Sequence, residues 1–177
     1  LDRKSELQGL GDKIEEVTDE LGKPLKYTIN QTMMRIDLKK PLASKGKVKF
    51  KVKWNYKMCN RLTVGGRGGY EYFPDDGNHL FTMMQWFPRM CVYSDFHGWQ
   101  NKQFTGRGEF ALAFGNYKVK MTVPADHLVC STGECQNYQQ ILSPAQFARW
   151  QKAQTATEPI EIGLLADAEA AEKNKAT

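Results

Sequence analysis

No stretch of about 18 apolar residues occurs in this chain, which excludes a helical membrane span. No charged-then-apolar leader opens it, but the first residue is Leu1 rather than Met, so that absence says little of compartment. The compartment stays open. No His-Glu-x-x-His, Gly-x-Ser-x-Gly or Walker-type segment is present. Cysteine is scarce: Cys59, Cys91, Cys130 and Cys135 stand at irregular intervals, and the one close pair is C-x4-C. Zinc ribbons and fingers use shorter, paired spacings. Cys130 follows His-Leu-Val and reads as a buried thiol in an apolar strand, while a disulfide between two of the four stays open. His79, His97 and His127 share no spacing. No internal repeat is visible. The expectation is a chain with no catalytic residue, no metal ligands and no cofactor, one that binds or completes something.

What is present suffices for a folded domain. The chain has 177 residues, 41% of them apolar, with nine Phe, seven Tyr and four Trp. That fits one domain with an appendage and a real core. The net charge is +5. Its lysines alternate along strand-like segments such as KVKFKVKW rather than cluster in a stripe, so they read as a solvated face and not a nucleic-acid surface.

The organisation is strand-rich. The first 13 residues are polar, glycine-dotted and expected to fray. Ile14 to Thr18 and Leu25 to Leu38 read as two extended segments, joined by turn chemistry at Asp19 to Pro24. Val48, Phe50, Val52, Trp54 and Tyr56 alternate with Lys49, Lys51, Lys53 and Asn55, a period of two that puts one face in a core and one in water. Gly65, Gly66, Gly68 and Gly69 surround Arg67, but Tyr70-Glu-Tyr-Phe-Pro74 follows. Phosphate loops open a helix, so a tight turn or close backbone approach is the reading here. Two alternating runs, Phe110 to Phe114 and Tyr117 to Val123, flank Gly115-Asn116 and predict a hairpin. Ser143-Pro144-Ala145-Gln146 predicts a capped helix over about 144–156, with Phe147 and Trp150 on one face. Pro159 to Leu165 reads as one more short strand. Residues 166–177 are alanine and charge only, which suggests a linker, tail or frayed helix. The expected domains are a β domain over 14–135 and a connector over 136–165.

The richest segment is 82–110, TMMQWFPRMCVYSDFHGWQNKQFTGRGEF. With Phe81 it packs Trp86, Phe87, Tyr93, Phe96, Trp99, Phe104 and Phe110 among Arg89, Arg107 and Asp95. It is too irregular for a helix and too aromatic for a disordered loop. Such a segment belongs at a wall or an interface. Two polar pairs are weaker candidates. Asp75-Asp76, between Pro74 and Gly77, reads as a solvated turn. Asp126-His127 lies at a strand end, where a general base would want a partner.

These blocks carry a resemblance. TMMRIDL (32–38), KVKFKVKWNY (47–56), GGRGGYEYF (65–73), QWFPRMCVY (85–93), GWQNKQFTGRGEFALAFGNYKVKMTVPADH (98–127) and STGE (131–134) are similar to the N-terminal domain of zinc metallopeptidases of the aminopeptidase N family, in a bacterial branch. ILSPAQFARWQKAQTATEPIEIG (141–163) resembles the connector toward that family's catalytic domain. The resemblance covers most of residues 14–163. It implies a mainly β, antiparallel, saddle- or sandwich-like domain with one C-terminal helix, itself without catalytic residues. Such a domain packs on a thermolysin-like zinc domain and walls one side of its peptide-substrate cavity. The zinc and its ligands would lie in that other domain. Members place a Gln-x-Glu or Gln-x-Gln here to grip the substrate's free amine. Gln85-Trp86-Phe87 matches that stretch, so Gln85, Trp86, Phe87 and Arg89 are the expected substrate-binding residues. Phe87 departs from the pattern, because it cannot accept a hydrogen bond. Apart from this role, Gln85 reads as a strand residue serving a local backbone group.

Two other functions draw on parts of the sequence. An independent β-sandwich module binding carbohydrate or protein would use the aromatics of 82–110. A nucleic-acid module would interleave aromatics with Arg and Lys on one face, whereas here the strand lysines alternate away from the aromatics. Left without its catalytic domain, the chain is expected to self-associate through exposed aromatic surface.

Overall fold

The computed structural model describes residues 7–104, 106 and 111–173. The chain divides into two compact units, Leu1–Gly115 and Asn116–Thr177. The fold is mainly β, as expected, with 25% strand against 17% helix.

The first unit is built from antiparallel pairs. β1 (Lys13–Asp19) pairs with β4 (Phe50–Asn55), with a register shift between Ile14 and Glu16. Phe50, Val52 and Trp54 are half-buried while Lys51, Lys53 and Asn55 are exposed, so the period-two pattern sorts the faces as expected. The turn after β1 follows its chemistry. The Asp19 carboxylate accepts from the backbone N–H of Leu21 at 3.0 Å and of Lys23 at 2.9 Å, and Gly22 takes φ +79°. Leu25 N–H then donates to the Val17 carbonyl at 2.9 Å, which lays the returning chain beside β1. Val17, Thr18 and Leu25 are buried there, and Val17 and Leu25 are the only buried large apolar side chains among the described residues.

The segment 25–38 is two strands rather than one. β2 (Lys26–Asn30) pairs with β3 (Met33–Asp37) around Gln31-Thr32, with Gln31 at φ +52°. A side chain from far along the chain holds this turn. Gln103 Nε2 donates to the Asn30 carbonyl at 2.8 Å, and its Oε1 accepts from Thr32 N at 3.0 Å and Thr32 Oγ1 at 2.6 Å.

A one-turn helix α1 (Arg61–Val64), capped by Asn60 Oδ1, leads into the glycine-rich loop. The loop opens a strand and not a helix. At Gly69, φ is +136°, and a Cβ would sit 2.5 Å from the Cys59 carbonyl, so close approach dictates the glycine. β5 (Gly69–Phe73) then pairs with β6 (Asn78–Thr82) across the Pro74–Gly77 turn, and β7 (Tyr93–Ser94) with β8 (Gly98–Trp99).

The hairpin expected around Gly115-Asn116 is not formed. Phe110 lies outside the described residues; from 111 to 123 there is no strand, and Leu112 makes one isolated bridge to Cys91. Neither Gly115 nor Asn116 takes the positive φ that a type I′ turn requires. The division between the two units falls at this dipeptide. Cys130, expected in an apolar strand, is exposed and outside any strand, and all four cysteines are free.

In the second unit α2 (Tyr138–Ile141) and α3 (Pro144–Ala153) are followed by α4 (Leu165–Lys173). α3 starts with the expected capping box. Gln146 N–H donates to Ser143 Oγ at 3.2 Å, and Ser143 N–H donates to Gln146 Oε1 at 3.0 Å. Phe147 and Trp150 stack with centroids 5.5 Å apart, and Tyr138 joins at 4.8 Å. Arg149 donates to the Ile162 carbonyl at 2.8 Å and pairs with Asp167, whose carboxylate also accepts from Leu164 N–H at 2.9 Å. This path holds 159–164 as a link between helices, and the strand expected over 159–165 is absent.

Candidate functional site

Gln85, Trp86, Phe87 and Arg89 lie after β6 on chain without regular structure. Gln85 is exposed and stands at φ +49°, outside any strand, which corrects its reading as a strand residue. A non-glycine residue at positive φ is uncommon and marks a sharp change of chain direction. That change sends Trp86 back over the β1–β4 sheet. Trp86 and Trp54 rings stack at 6.3 Å and 25°, and Trp54 Nε1–H donates to the Trp86 carbonyl at 3.3 Å. Phe87 meets Trp86 edge-on at 5.0 Å, and the Arg89 guanidinium sits 5.5 Å over the Phe87 ring. Phe87, which offers no acceptor, thus presents a π face to a cation instead. Trp86, Phe87 and Arg89 form one chain of contacts anchored on Trp54. Gln85 makes no side-chain hydrogen bond among the described residues, so its amide is available to solvent.

The remaining aromatics of the segment are more open. Tyr93 and Trp99 meet edge-on at 5.2 Å across β7–β8, yet are 65% and 54% exposed; Phe96, on the turn between them, is 75% exposed. Sequence reasoning missed a second aromatic group, on β5–β6. Its register sets Tyr70 opposite Phe81 and Tyr72 opposite His79. The two-residue alternation in GYEYF and NHLFT was the available signal.

Other candidates stay apart from these. His127 Nδ1 lies 2.9 Å from Asp126 Oδ1, and that hydrogen bond holds the Asp126 carboxyl below its usual range. Burial pushes the Tyr56 hydroxyl up, and the nearby charge of Asp12 adds to this. A cleft of about 420 Å³ is lined by Glu20 and Val48–Lys51, and one of about 220 Å³ by residues that include Cys59, Gly69 and Met84. Neither contains Gln85, Trp86, Phe87, Arg89 or His127. Among the described residues, no group of three His, Cys, Asp or Glu side chains could hold a metal ion, and no helix is long and apolar enough to cross a membrane. No such group is therefore present among the described residues for the zinc ion, which the resemblance itself would place in another domain.

Comparison with protein-family models, curated proteins and solved structures returned no match for the chain.

Proposed function

We propose that the chain is a non-catalytic β domain of a zinc metallopeptidase resembling aminopeptidase N, which packs on a thermolysin-like catalytic domain and walls its peptide cavity. One observation carries most weight: the first unit pairs its strands, but of the large apolar side chains among its described residues only Val17 and Leu25 are buried. Sheets of this kind need a covering layer. Met83, Met84, Met90, Tyr93, Phe96 and Trp99 are left in solvent around the proposed substrate-facing stretch. A catalytic domain seated there would supply the missing layer, with zinc held by that domain. Gln85 would accept from a substrate ammonium, and the Phe87–Arg89 pair would replace the second acceptor with an apolar wall. Arg89 would disfavour a second positive charge in the substrate at that place.

The test is the full-length product of the gene. A downstream His-Glu-x-x-His segment, with hydrolysis of aminoacyl arylamides lost on chelation, is expected. A product without that segment and without peptidase activity overturns the proposal. A free-standing β module binding carbohydrate or protein is the second reading, favoured by the exposed rings of Tyr93, Phe96 and Trp99.

A further inference from the structure

We infer that the β5–β6 hairpin is a docking surface for a basic, extended peptide segment, a role that does not depend on the metallopeptidase reading. Four rings share one face of this hairpin. His79 lies 4.7 Å from Tyr72, 6.1 Å from Tyr70 and 5.8 Å from Phe81, and Tyr70 lies 6.5 Å from Phe81. Tyr72 and Phe81 are 45% and 44% exposed. At the adjoining turn stand Asp75 and Asp76, both exposed and in no ion pair among the described residues.

Charge selects the occupant. From Gly68 to Pro88 the chain carries Glu71, Asp75 and Asp76 and neither Lys nor Arg, although the whole chain has 25 basic against 20 acidic residues. Glu71 is already answered by Arg61 at 3.0 Å. The turn carboxylates are left for a partner's cations, beside rings whose faces attract cations. The spacing agrees: two residues of extended chain span about 6.6 Å. Lys or Arg at alternate positions of an extended peptide would therefore keep step with Tyr70 and Tyr72. A sugar or a base would want a common plane. His79 and Phe81 are nearly parallel at 11°, but Tyr70 is inclined to them by 49° and 46° and Tyr72 to His79 by 39°, so the four rings together share no plane. The carboxylates also repel nucleic-acid phosphate.

The experiment is calorimetric titration of the 177-residue chain with a dodecapeptide of alternating Arg and Gly. The matching Glu-Gly peptide and a glucan hexasaccharide are run beside it. Saturable binding of the Arg peptide alone, weakened by salt, is expected. The net charge of +5 would by itself repel this peptide, so its binding reports a local surface. Replacing Asp75 and Asp76 by Asn should weaken it about two- to fivefold. Tyr72→Leu keeps apolar bulk without the π face and should weaken it about two- to fivefold. If Tyr72→Leu loses its fold by circular dichroism, the exposed turn variant decides alone. The inference is overturned if the Arg peptide does not bind, or binds undiminished to the turn variant. Preference for the glucan also overturns it. So does self-association that the turn variant abolishes while the peptide stays unbound, since the occupant would then be a second copy.

Discussion

Gly69 is the residue at which backbone geometry decides most. Any side chain there meets the Cys59 carbonyl at 2.5 Å while holding φ +136°. Gly69→Ala is expected to cost about 1–3 kcal/mol, read as a lower urea midpoint; an unchanged midpoint would refute the strained approach. Charge acts at Glu15 and Lys53, whose side chains meet at 2.7 Å. Hydrogen bonds from Lys53 and Asn55 hold the Glu15 carboxyl below its ordinary 4.5, and the bond to Glu15 holds Lys53 above its ordinary 10.5. Because the Glu15 value is depressed, its contribution is present above pH 4.5 and is lost as pH falls through the lower folded value. Because the Lys53 value is raised, its contribution is complete below pH 10.5 and is lost as pH rises through the higher folded value. An NMR titration should place the Glu15 midpoint below 4.5, and Lys53→Met should move it upward. A midpoint indifferent to Lys53→Met would count against the pair.

Elements differ in how far their signals were local. The capping box of α3 was legible because all its parts lie within four residues, and Ser143→Ala should cost about 1 kcal/mol, seen as lost helical ellipticity. No change in ellipticity would show that the cap contributes nothing. β4 was legible because burial follows its alternation. The β2–β3 turn was not, since its sequence has no glycine and its support arrives from Gln103. The runs flanking Gly115-Asn116 alternate as strands do, yet Phe114, Tyr117, Val119 and Met121 are all more than half exposed. Alternation prescribes a face, but a strand also needs a partner edge and a surface to cover, and an isolated two-stranded hairpin is marginal in water. With no type I′ turn to disturb, Asn116→Val should shift stability by less than about 0.5 kcal/mol, as surface changes do. A larger loss in urea denaturation would restore the turn.

At the scale of the whole molecule, the aromatic content promised a core, and the described residues bury hardly any of it. The stretch 85–89 was legible as a cluster of aromatics with Arg89. Its stacking on Trp54 was not, because that contact joins residues 32 positions apart. Exposed apolar area on this scale is expected to drive association of the isolated chain. Sedimentation should show a mean mass that rises with concentration, together with binding of a hydrophobic dye. A monomer at all concentrations with no dye binding would mean that these surfaces need no cover.

The clamp that Gln103 places on the β2–β3 turn also has a consequence in time. Its hydrogen bond from Thr32 N spans 71 positions. Closing a loop of that length costs about 4 kcal/mol of chain entropy from its length dependence alone. The hairpin forms locally and fast, but its turn stays unlocked until a residue from beyond β8 arrives. During synthesis β2 and β3 therefore emerge well before the side chain that fixes their register, and until then they can slip or pair with another chain. Locking the turn is a late event in folding, triggered by the aromatic segment reaching its place.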